Sequence, residues 1–263
     1  MDESASALNK HRIPVIDRMM DLLAMLERRA NGATIRELTA LLALPRTTVY
    51  RILNTLQIHD MVRRSTEGDY RLGPRLLTLA SRAVVDIHGF DLATIARPHL
   101  ERLSAATGEA SKISVLDGGT VLVCATIEGK REYALTVVPG QRLPLHAGAA
   151  SKTLLAHMPA DEIERVLAAP LARHTGLTIT DARRLSRELG RIRRQGWAED
   201  KGEYSPSVRA FAAPIIDRAG KAIAALSVPF LAGSAPGHVE KIRVSVIATA
   251  GAIAADLPAP RGA

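Results

Sequence analysis

One predicted helix, over residues 45–58, carries hydroxyl and guanidinium groups on one side and aliphatic side chains on the other. The aliphatic positions recur at spacings of three, four and seven residues, which is typical of a helix with one buried face. They are Val49, Ile52, Leu53 and Leu56. The polar side presents Arg46, Thr47, Thr48, Tyr50 and Arg51. Such side chains reach phosphates and base edges, so the helix is a candidate for DNA contact.

Two further arginines lie in a predicted β-hairpin that follows this helix. Arg63 and Arg64 belong to its first strand, and the turn residues Glu67-Gly68 separate that strand from Tyr70–Gly73. A hairpin beside a DNA-contacting helix can bring its arginines to an adjacent phosphate or groove. We therefore include both arginines among the candidate DNA contacts.

The elements before the helix complete a recognisable order. Helical spacing predicts a first helix that ends at Asn31-Gly32, with a buried stripe of Ile16, Met19, Met20, Leu23 and Leu26. Thr34 followed by Glu37 predicts a capping box at the start of a second helix. Helix, helix, short turn, helix and hairpin predict a winged helix-turn-helix over residues 12–73, whose third helix enters the major groove.

Composition is compatible with this prediction but does not decide it. The chain has 263 residues, enough for two domains, and a net charge of +8, which attracts polyanions such as nucleic acid. Seven arginines and four acids lie within residues 36–75, so the local surplus is small and geometry carries more of the prediction than charge does. The alternative is a helical domain for protein contacts whose Arg46 and Arg51 are merely solvated.

Several classes of protein are excluded or disfavoured. Cys124 is the only cysteine, so an intramolecular disulfide and a cysteine-based metal cluster are excluded. The first ten residues contain no apolar signal region and no apolar run reaches membrane-spanning length, so we expect a cytoplasmic protein. No metal or cofactor motif is present, and we expect neither group.

The second half of the chain predicts an α+β domain over residues 90–258, joined to the first by a linker helix over 74–89. The apolar residues of the linker are Leu76, Leu77 and Leu79. The predicted strands are Ala110–Leu116, Val121–Ile127, Tyr133–Val138, Val208–Ile216 and Ala222–Val228. The predicted helices cover 92–107, 153–157, 161–168, 181–195 and 239–256. Residues 143–152 are interpreted as a loop that leads into the helix at Thr153.

Other reactive side chains have structural interpretations. Asp200 and Glu203 could form an acid–base pair, but no nucleophile or cofactor motif accompanies them, so we predict no catalytic residues. His146 has no partner at metal-ligand spacing and is interpreted as structural. Trp197 is interpreted as a packing residue under a pocket, and the basic run over 183–194 as a solvated helix face.

Four motifs stand in order across both halves. The first is an N-terminal signature made of Ile35-Arg36-Glu37-Leu38, the segment Leu44–Leu53, and Tyr70-Arg71-Leu72-Gly73. The others are Leu143–Lys152, Gln195–Asp200 and Ala212–Ile215. Together they resemble the isocitrate lyase regulator (IclR) family over residues 14–257.

The resemblance implies a GAF-like effector-binding domain, a helical linker that helps the DNA-binding domains dimerise, and dimers that pair into tetramers. It places effector contacts at Ala149, Ala150, Asp200 and Ser227. We extend this site to Gly148 and Ser151, because backbone N–H groups at the start of a helix suit a carboxylate.

The sequence also departs from the family pattern. Ala43 and Asp60 replace usual glycines, and Ser151 replaces another frequent glycine. Ala210 replaces a frequent cysteine, while Pro229 and Phe230 follow the last strand of the site. These residues make the expected pocket more apolar, which favours an acid with a hydrocarbon or aromatic body.

Three functions remain open at this point. One is a regulator that binds an inverted-repeat operator as a homodimer or homotetramer and senses a small organic acid, such as an aromatic or a keto acid. The second is an α+β enzyme acting on a small acid, and the third is an architectural DNA-binding protein with no ligand. We favour the first, acting as a repressor of a catabolic operon.

Overall fold

The computed structural model describes residues 12–29, 31–76, 79, 91–131 and 139–258, which fall into two units, Met1–Ala83 and Val84–Ala263. Most of the predicted linker helix over 74–89, including Leu77, lies outside the described residues. The predicted strand Tyr133–Val138 also lies outside them. Leu76 and Leu79 are described, and the Leu79 side chain is exposed.

Between residues 12 and 73, the described part of the N-terminal unit contains three helices and a hairpin. These are α1 (Pro14–Glu27), α2 (Ile35–Leu42), α3 (Arg46–Ile58), β1 (Val62–Arg64) and β2 (Tyr70–Leu72), with β1 and β2 antiparallel. The predicted capping box is confirmed, because Thr34 Oγ1 accepts from the Glu37 N–H at 3.3 Å and Glu37 Oε2 accepts from the Thr34 N–H at 2.8 Å. Ala43 and Asp60, which replace usual glycines, both have positive φ angles of 50° and 56°.

The core of this unit confirms the predicted buried face of α3 and corrects that of α1. Val49, Ile52, Leu53 and Leu56 are buried as predicted. Ile16 and Met20 are instead about half exposed, and α1 buries Leu22, Leu23 and Leu26. The prediction was wrong because α1 has apolar residues around most of its circumference. Contact with α2 and β2, rather than periodicity, selects the face that is buried.

The described residues of the C-terminal unit form a six-stranded sheet flanked by helices. In chain order its elements are α4 (Leu92–Thr107), β3 (Ser111–Asp117), β4 (Thr120–Ile127), β5 (Arg142–Leu143), α5 (Ala149–Ala156), α6 (Ala160–Ala168), α7 (Ala182–Gln195), β6 (Ala198–Asp200), β7 (Val208–Ile216), β8 (Ala222–Leu231) and α8 (Pro236–Ala255). The strand order is β5-β4-β3-β8-β7-β6, and each neighbouring pair is antiparallel. The predicted α+β class is therefore confirmed.

Each face of the sheet packs against different helices. One face packs on α4 and α8 around Leu226, Val228 and Phe230 of β8. The other packs on α5 and α7 around residues such as Ala225. Because side chains of a strand alternate between faces, Ser227 and Pro229 point to the α5 side. Phe230, which we expected to line the pocket, is fully buried on the opposite face, so that expectation was wrong.

The segment 143–152 also differs from its prediction. It is not a loop up to Thr153, because α5 begins at Ala149 with Gly148 as its N-cap. Gly148 has a φ angle of 101°, a conformation that glycine adopts without strain. The four residues after it include two alanines and a lysine, which favour helix, so the motif is the first turn of α5.

Candidate functional site

The candidate DNA contacts on α3 project from the side opposite to its buried stripe. Arg46, Thr47, Tyr50 and Arg51 are exposed, while Thr48 is partly buried. Neither the guanidinium group of Arg46 nor that of Arg51 has a hydrogen-bond or ion-pair partner within the described ranges. Both guanidinium groups therefore remain available to an anionic partner.

A shallow groove separates α3 from the hairpin. It is lined by Ile35, Arg46, Thr47, Tyr50, Arg64 and Tyr70. The Arg64 guanidinium carbon lies 5.6 Å from the centroid of the Tyr70 ring, which holds this arginine at the groove. Arg63 does not line the groove, and its nearest acidic partner is Asp60 at 3.9 Å. The structure thus brings Arg64, but not Arg63, together with the donors of α3.

The six residues predicted for the effector site line a single cavity of about 190 Å³ in the C-terminal unit. They are Gly148, Ala149, Ala150, Ser151, Asp200 and Ser227. The remaining lining residues are Lys112, Gln141, Leu143, Ala147, Tyr204, Ser205, Val208, Ala210 and Pro229. Residues far apart in the chain meet here because α5 packs across β7 and β8 while the loop after β6 lies beside its first turn.

The first turn of α5 offers hydrogen-bond donors to the cavity. The Lys152 N–H bonds to the Gly148 carbonyl at 3.0 Å and so makes the first helical hydrogen bond. The N–H groups of Ala149, Ala150 and Ser151 precede it and have no acceptor within the helix. Such amides, together with the helix dipole, favour an anion at this end of α5.

Asp200 is fixed by its own loop and faces the same helix end. Its Oδ1 accepts hydrogen bonds from the N–H groups of Gly202 at 2.9 Å and Glu203 at 2.7 Å. A Cβ added to Gly148 would lie 3.9 Å from Oδ2, so the second oxygen lies close to the start of α5. Burial raises the pKa of Asp200, and the two backbone hydrogen bonds, with Lys152 and Lys112, act in the opposite direction.

Two hydroxyl groups of the cavity have no partner. Ser151 and Ser227 are completely buried, and neither Oγ atom has a hydrogen-bond partner among the residues that the structure describes. An unsatisfied buried hydroxyl costs about 1–3 kcal/mol, so such groups are normally paired. Both are therefore suited to a ligand that carries polar groups.

A buried lysine supports the cavity from behind. Lys152 is 0% exposed, and its Nζ donates to the Glu199 carbonyl at 2.8 Å and to the carboxylates of Glu188 and Glu203. None of these four residues lines the cavity. Glu203 therefore pairs with Lys152 and ties the loop after β6 to α5, so Asp200 and Glu203 do not form an acid–base dyad.

Sequence reasoning missed Lys112 and Tyr204 in the cavity. Lys112 lies on β3 directly opposite Ser227 of β8. The sequence offers one indication of Lys112, which stands next to Ile113 in a strand of otherwise small and apolar residues. Side chains alternate along a strand, so Lys112 and Ile113 lie on opposite faces of the sheet. Tyr204 follows β6 in a loop whose path has no such periodic signal.

The remaining sequence candidates have structural surroundings. His146 Nε2 lies 2.7 Å from the Ala172 carbonyl, and its ring stacks on His174. Trp197 packs edge-on against Phe211, which lies on the sheet face away from the cavity, so it packs as predicted but not beneath the pocket. No group of three side chains able to hold a metal occurs in the ranges described, and no helix there is long and apolar enough to cross a membrane.

The fold and its cavity define a transcriptional regulator with a DNA-binding domain and an effector-binding domain. The sequence model of the IclR helix-turn-helix domain matches residues 15–66. That of the bacterial transcriptional regulator IclR C-terminal domain matches residues 84–255. The chain belongs to the IclR family, whose members are transcriptional regulators and not enzymes.

Individual relatives agree with this assignment. The chain is 34% identical to the HTH-type transcriptional regulator BhcR of Paracoccus denitrificans, over 82% of this chain and 77% of the relative. It is 29% identical to the HTH-type transcriptional repressor AllR of Salmonella typhi, over 81% of this chain and 78% of the relative. A crystal structure of an IclR homologue from Microbacterium hydrocarbonoxydans complexed with 4-hydroxybenzoate superposes with a TM-score of 0.74 at 28% identity, covering 92% of this chain and 98% of the homologue.

Proposed function

We propose that this regulator represses a catabolic operon and responds to a small organic acid bound in the cavity of its C-terminal unit. The observation that carries the proposal is the pair of buried hydroxyls of Ser151 and Ser227, which line one cavity and have no hydrogen-bond partner among the described residues. Ser151 belongs to the first turn of α5, whose residues Ala149 and Ala150 line the same cavity. These donors suit a carboxylate, which supports an acid as the effector.

The other walls favour an acid that has both a hydroxyl group and an apolar body. Ionised Asp200 repels a carboxylate, so its free oxygen is better suited to accept a hydrogen bond from a ligand hydroxyl. Ala210 and Pro229 supply apolar wall. A hydroxylated aromatic acid meets these requirements. One example is 4-hydroxybenzoate, with which a relative was crystallised.

The DNA-binding part of the proposal rests on the exposed face of α3 and the wing. Its contact residues are Arg46, Thr47, Thr48, Tyr50, Arg51, Arg63 and Arg64. A homodimer presents two such faces related by a two-fold axis, so the operator is an inverted repeat. A homotetramer would engage two such sites. Repression is favoured over activation by the similarity to the repressor AllR.

The acid controls DNA binding only if it binds one arrangement of the protein better than the other. The test measures operator affinity with and without each acid of a panel, on DNA selected from random sequence by the protein. Calorimetry on wild type, Asp200→Ala and Ser227→Ala then locates the acid. Equal binding to all three proteins would place the acid outside the cavity. Binding that leaves DNA affinity unchanged would rule out the sensor role even though the cavity binds an acid.

A further inference from the structure

Lys112 is a cavity-lining lysine that has no partner. It is partly buried, and no hydrogen bond or ion pair to its Nζ occurs within the part of the chain that the structure describes. Lys152, the other lysine near the cavity, is bound by three oxygen acceptors. The two lysines therefore differ: Lys152 is satisfied by hydrogen bonds within the protein, whereas Lys112 lines the cavity and has only the attraction of Asp200 at longer range.

A partly buried ammonium group without a hydrogen-bonded or ion-paired partner costs free energy. Burial lowers the pKa of Lys112 to about 8, and the charge of Asp200 acts only partly in the opposite direction. Hydrogen-bond donors surround the same space, namely the hydroxyls of Ser151 and Ser227 and the amides of the α5 first turn. A carboxylate placed there would satisfy these donors and remove the cost of the unpaired charge.

We propose that Lys112 is the cationic anchor for the effector's carboxylate, so that binding of the acid requires Lys112 in its ammonium form. This inference rests on the proposed function, since it assigns a partner within the acid site. Lys112 also offsets the repulsion between the acid and Asp200, which shares the cavity. The anchor selects carboxylates over neutral molecules of the same shape.

The titratable groups around Lys112 lie on β6, in the loop that follows β6, and on α5. Asp200 at the end of β6 and Tyr204 in the following loop line the cavity with it. Lys152 of α5 and Glu203 lie behind the wall as a pair. The lining residues contributed by β5, β7 and β8 are uncharged. Lys112 is therefore the cation that an acid in the cavity would meet.

Proton linkage gives this anchor a distinct signature. Below about pH 8 Lys112 is charged before the acid arrives, so Lys112 adds no pH dependence to the affinity. Above that pH the amine is neutral, and binding has to take up a proton. The affinity then falls by up to about tenfold per pH unit.

The experiment compares 4-hydroxybenzoate and benzoate with benzamide, which has nearly the same shape as benzoate and stays neutral, by calorimetry across this pH range. The variants are Lys112→Met, Lys112→Arg and, as a matched control, Lys221→Met at an exposed lysine before β8. Lys112→Met should weaken binding of the two acids by about 10- to 100-fold at neutral pH and leave the benzamide affinity unchanged. Lys112→Arg should retain acid binding at alkaline pH, where wild type loses it.

Two results would overturn the anchor. One is equal acid affinity of wild type and Lys112→Met. The other is an equal loss for acids and benzamide, which would mean that Lys112 only packs. In either case acid binding by wild type would leave the proposed function standing. Failure of both acids to bind wild type would instead remove the acid effector itself, and the anchor with it. Thermal unfolding confirms that each variant is folded.

Discussion

Lys152 and Glu203 form an ion pair that is almost completely withdrawn from water, with side chains 1% and 6% exposed. Lys152 belongs to the first half of α5 and Glu203 to the loop after β6. The pair therefore joins the two segments that carry the α5 amides and Asp200. Neither side chain lines the cavity, so the pair supports the position of its walls from behind.

Removal of one partner should destabilise the C-terminal unit strongly. Lys152→Met leaves the carboxylates of Glu203 and Glu188 facing an apolar side chain, and we expect the free energy of unfolding to fall by about 3–5 kcal/mol. The double variant Lys152→Met with Glu203→Met should recover part of this loss, because no buried charge remains from the pair. Urea unfolding of the single and double variants measures both values. Arg165→Ala, which breaks an exposed pair with Asp161, is the control and should change little.

Asp200→Asn should stabilise the unliganded protein near neutral pH. Because burial raises the pKa of Asp200, the folded protein holds this proton more tightly than the unfolded chain does. Its contribution to stability is present below the unfolded pKa of about 3.9 and is lost as the pH rises through the higher folded pKa. Asparagine keeps an oxygen for the two backbone donors and carries no charge.

The stability gain of Asp200→Asn over wild type should therefore grow as the pH rises above the unfolded pKa of about 3.9, and level off above the raised folded pKa. Denaturant unfolding at several pH values measures it. Asp217→Asn is the matched control, because Asp217 also accepts two backbone hydrogen bonds but lies in a turn at the surface. A gain that does not change with pH would show that the charge of Asp200 is not responsible.

The two wing arginines should differ in their effect on DNA binding. Arg64 lines the groove beside α3, whereas Arg63 does not, so Arg64→Ala should weaken operator binding more than Arg63→Ala.

Arg51→Ala should reduce the free energy of operator binding by about 1–3 kcal/mol if Arg51 reads a base. A smaller loss that is uniform across sequences, with a shallower salt dependence, would indicate a phosphate contact. Fluorescence anisotropy over a salt series measures these effects, with Arg28→Ala, at the end of α1, as the control. Full affinity in folded Arg51→Ala would remove Arg51 from the interface.

The turn between α2 and α3 stores strain at Ala43. Its φ angle of 50° costs an L-residue about 1–2 kcal/mol that glycine does not bear, although the greater freedom of glycine in the unfolded chain offsets part of this. Because the Ala43 side chain is exposed, Ala43→Gly loses no packing and should raise the free energy of unfolding by up to about 1 kcal/mol. Ala40→Gly, three residues earlier at an exposed helical position, should lower it by about as much. Equal signs for the two variants would contradict the strain at Ala43.

Dimerisation through the predicted linker can be tested at its two described leucines. Replacing Leu76 and Leu79 together with glutamate places charges where the linker is expected to pack against its partner. We expect monomers in sedimentation that bind operator poorly, since both half-sites must be occupied together. A double variant that stays dimeric and binds normally would place the dimer contact elsewhere.

Local rules explain what could be predicted in the N-terminal unit. The capping box of Thr34 and Glu37 and the buried stripe of α3 depend on residues a few positions apart, so their sequence pattern is sufficient.

In the C-terminal unit, strands β5 and β6 were not predicted, because two or three residues are too few for a period to appear. The first turn of α5 was predicted as part of a loop over 143–152, because the glycine and serine of this segment are typical turn residues.

The sequence by itself determined the order of elements in the N-terminal unit, the family, and six of the residues that line the cavity, from the start of α5, from β6 and from β8. The tertiary structure decided what surrounds them. Strand pairing placed Lys112 opposite Ser227, and alternation along β8 sent Phe230 to the far side of the sheet. The packing of α5 turned Glu203 toward Lys152 and away from Asp200. These outcomes depend on contacts between residues distant in the chain, whose partners no local spacing specifies.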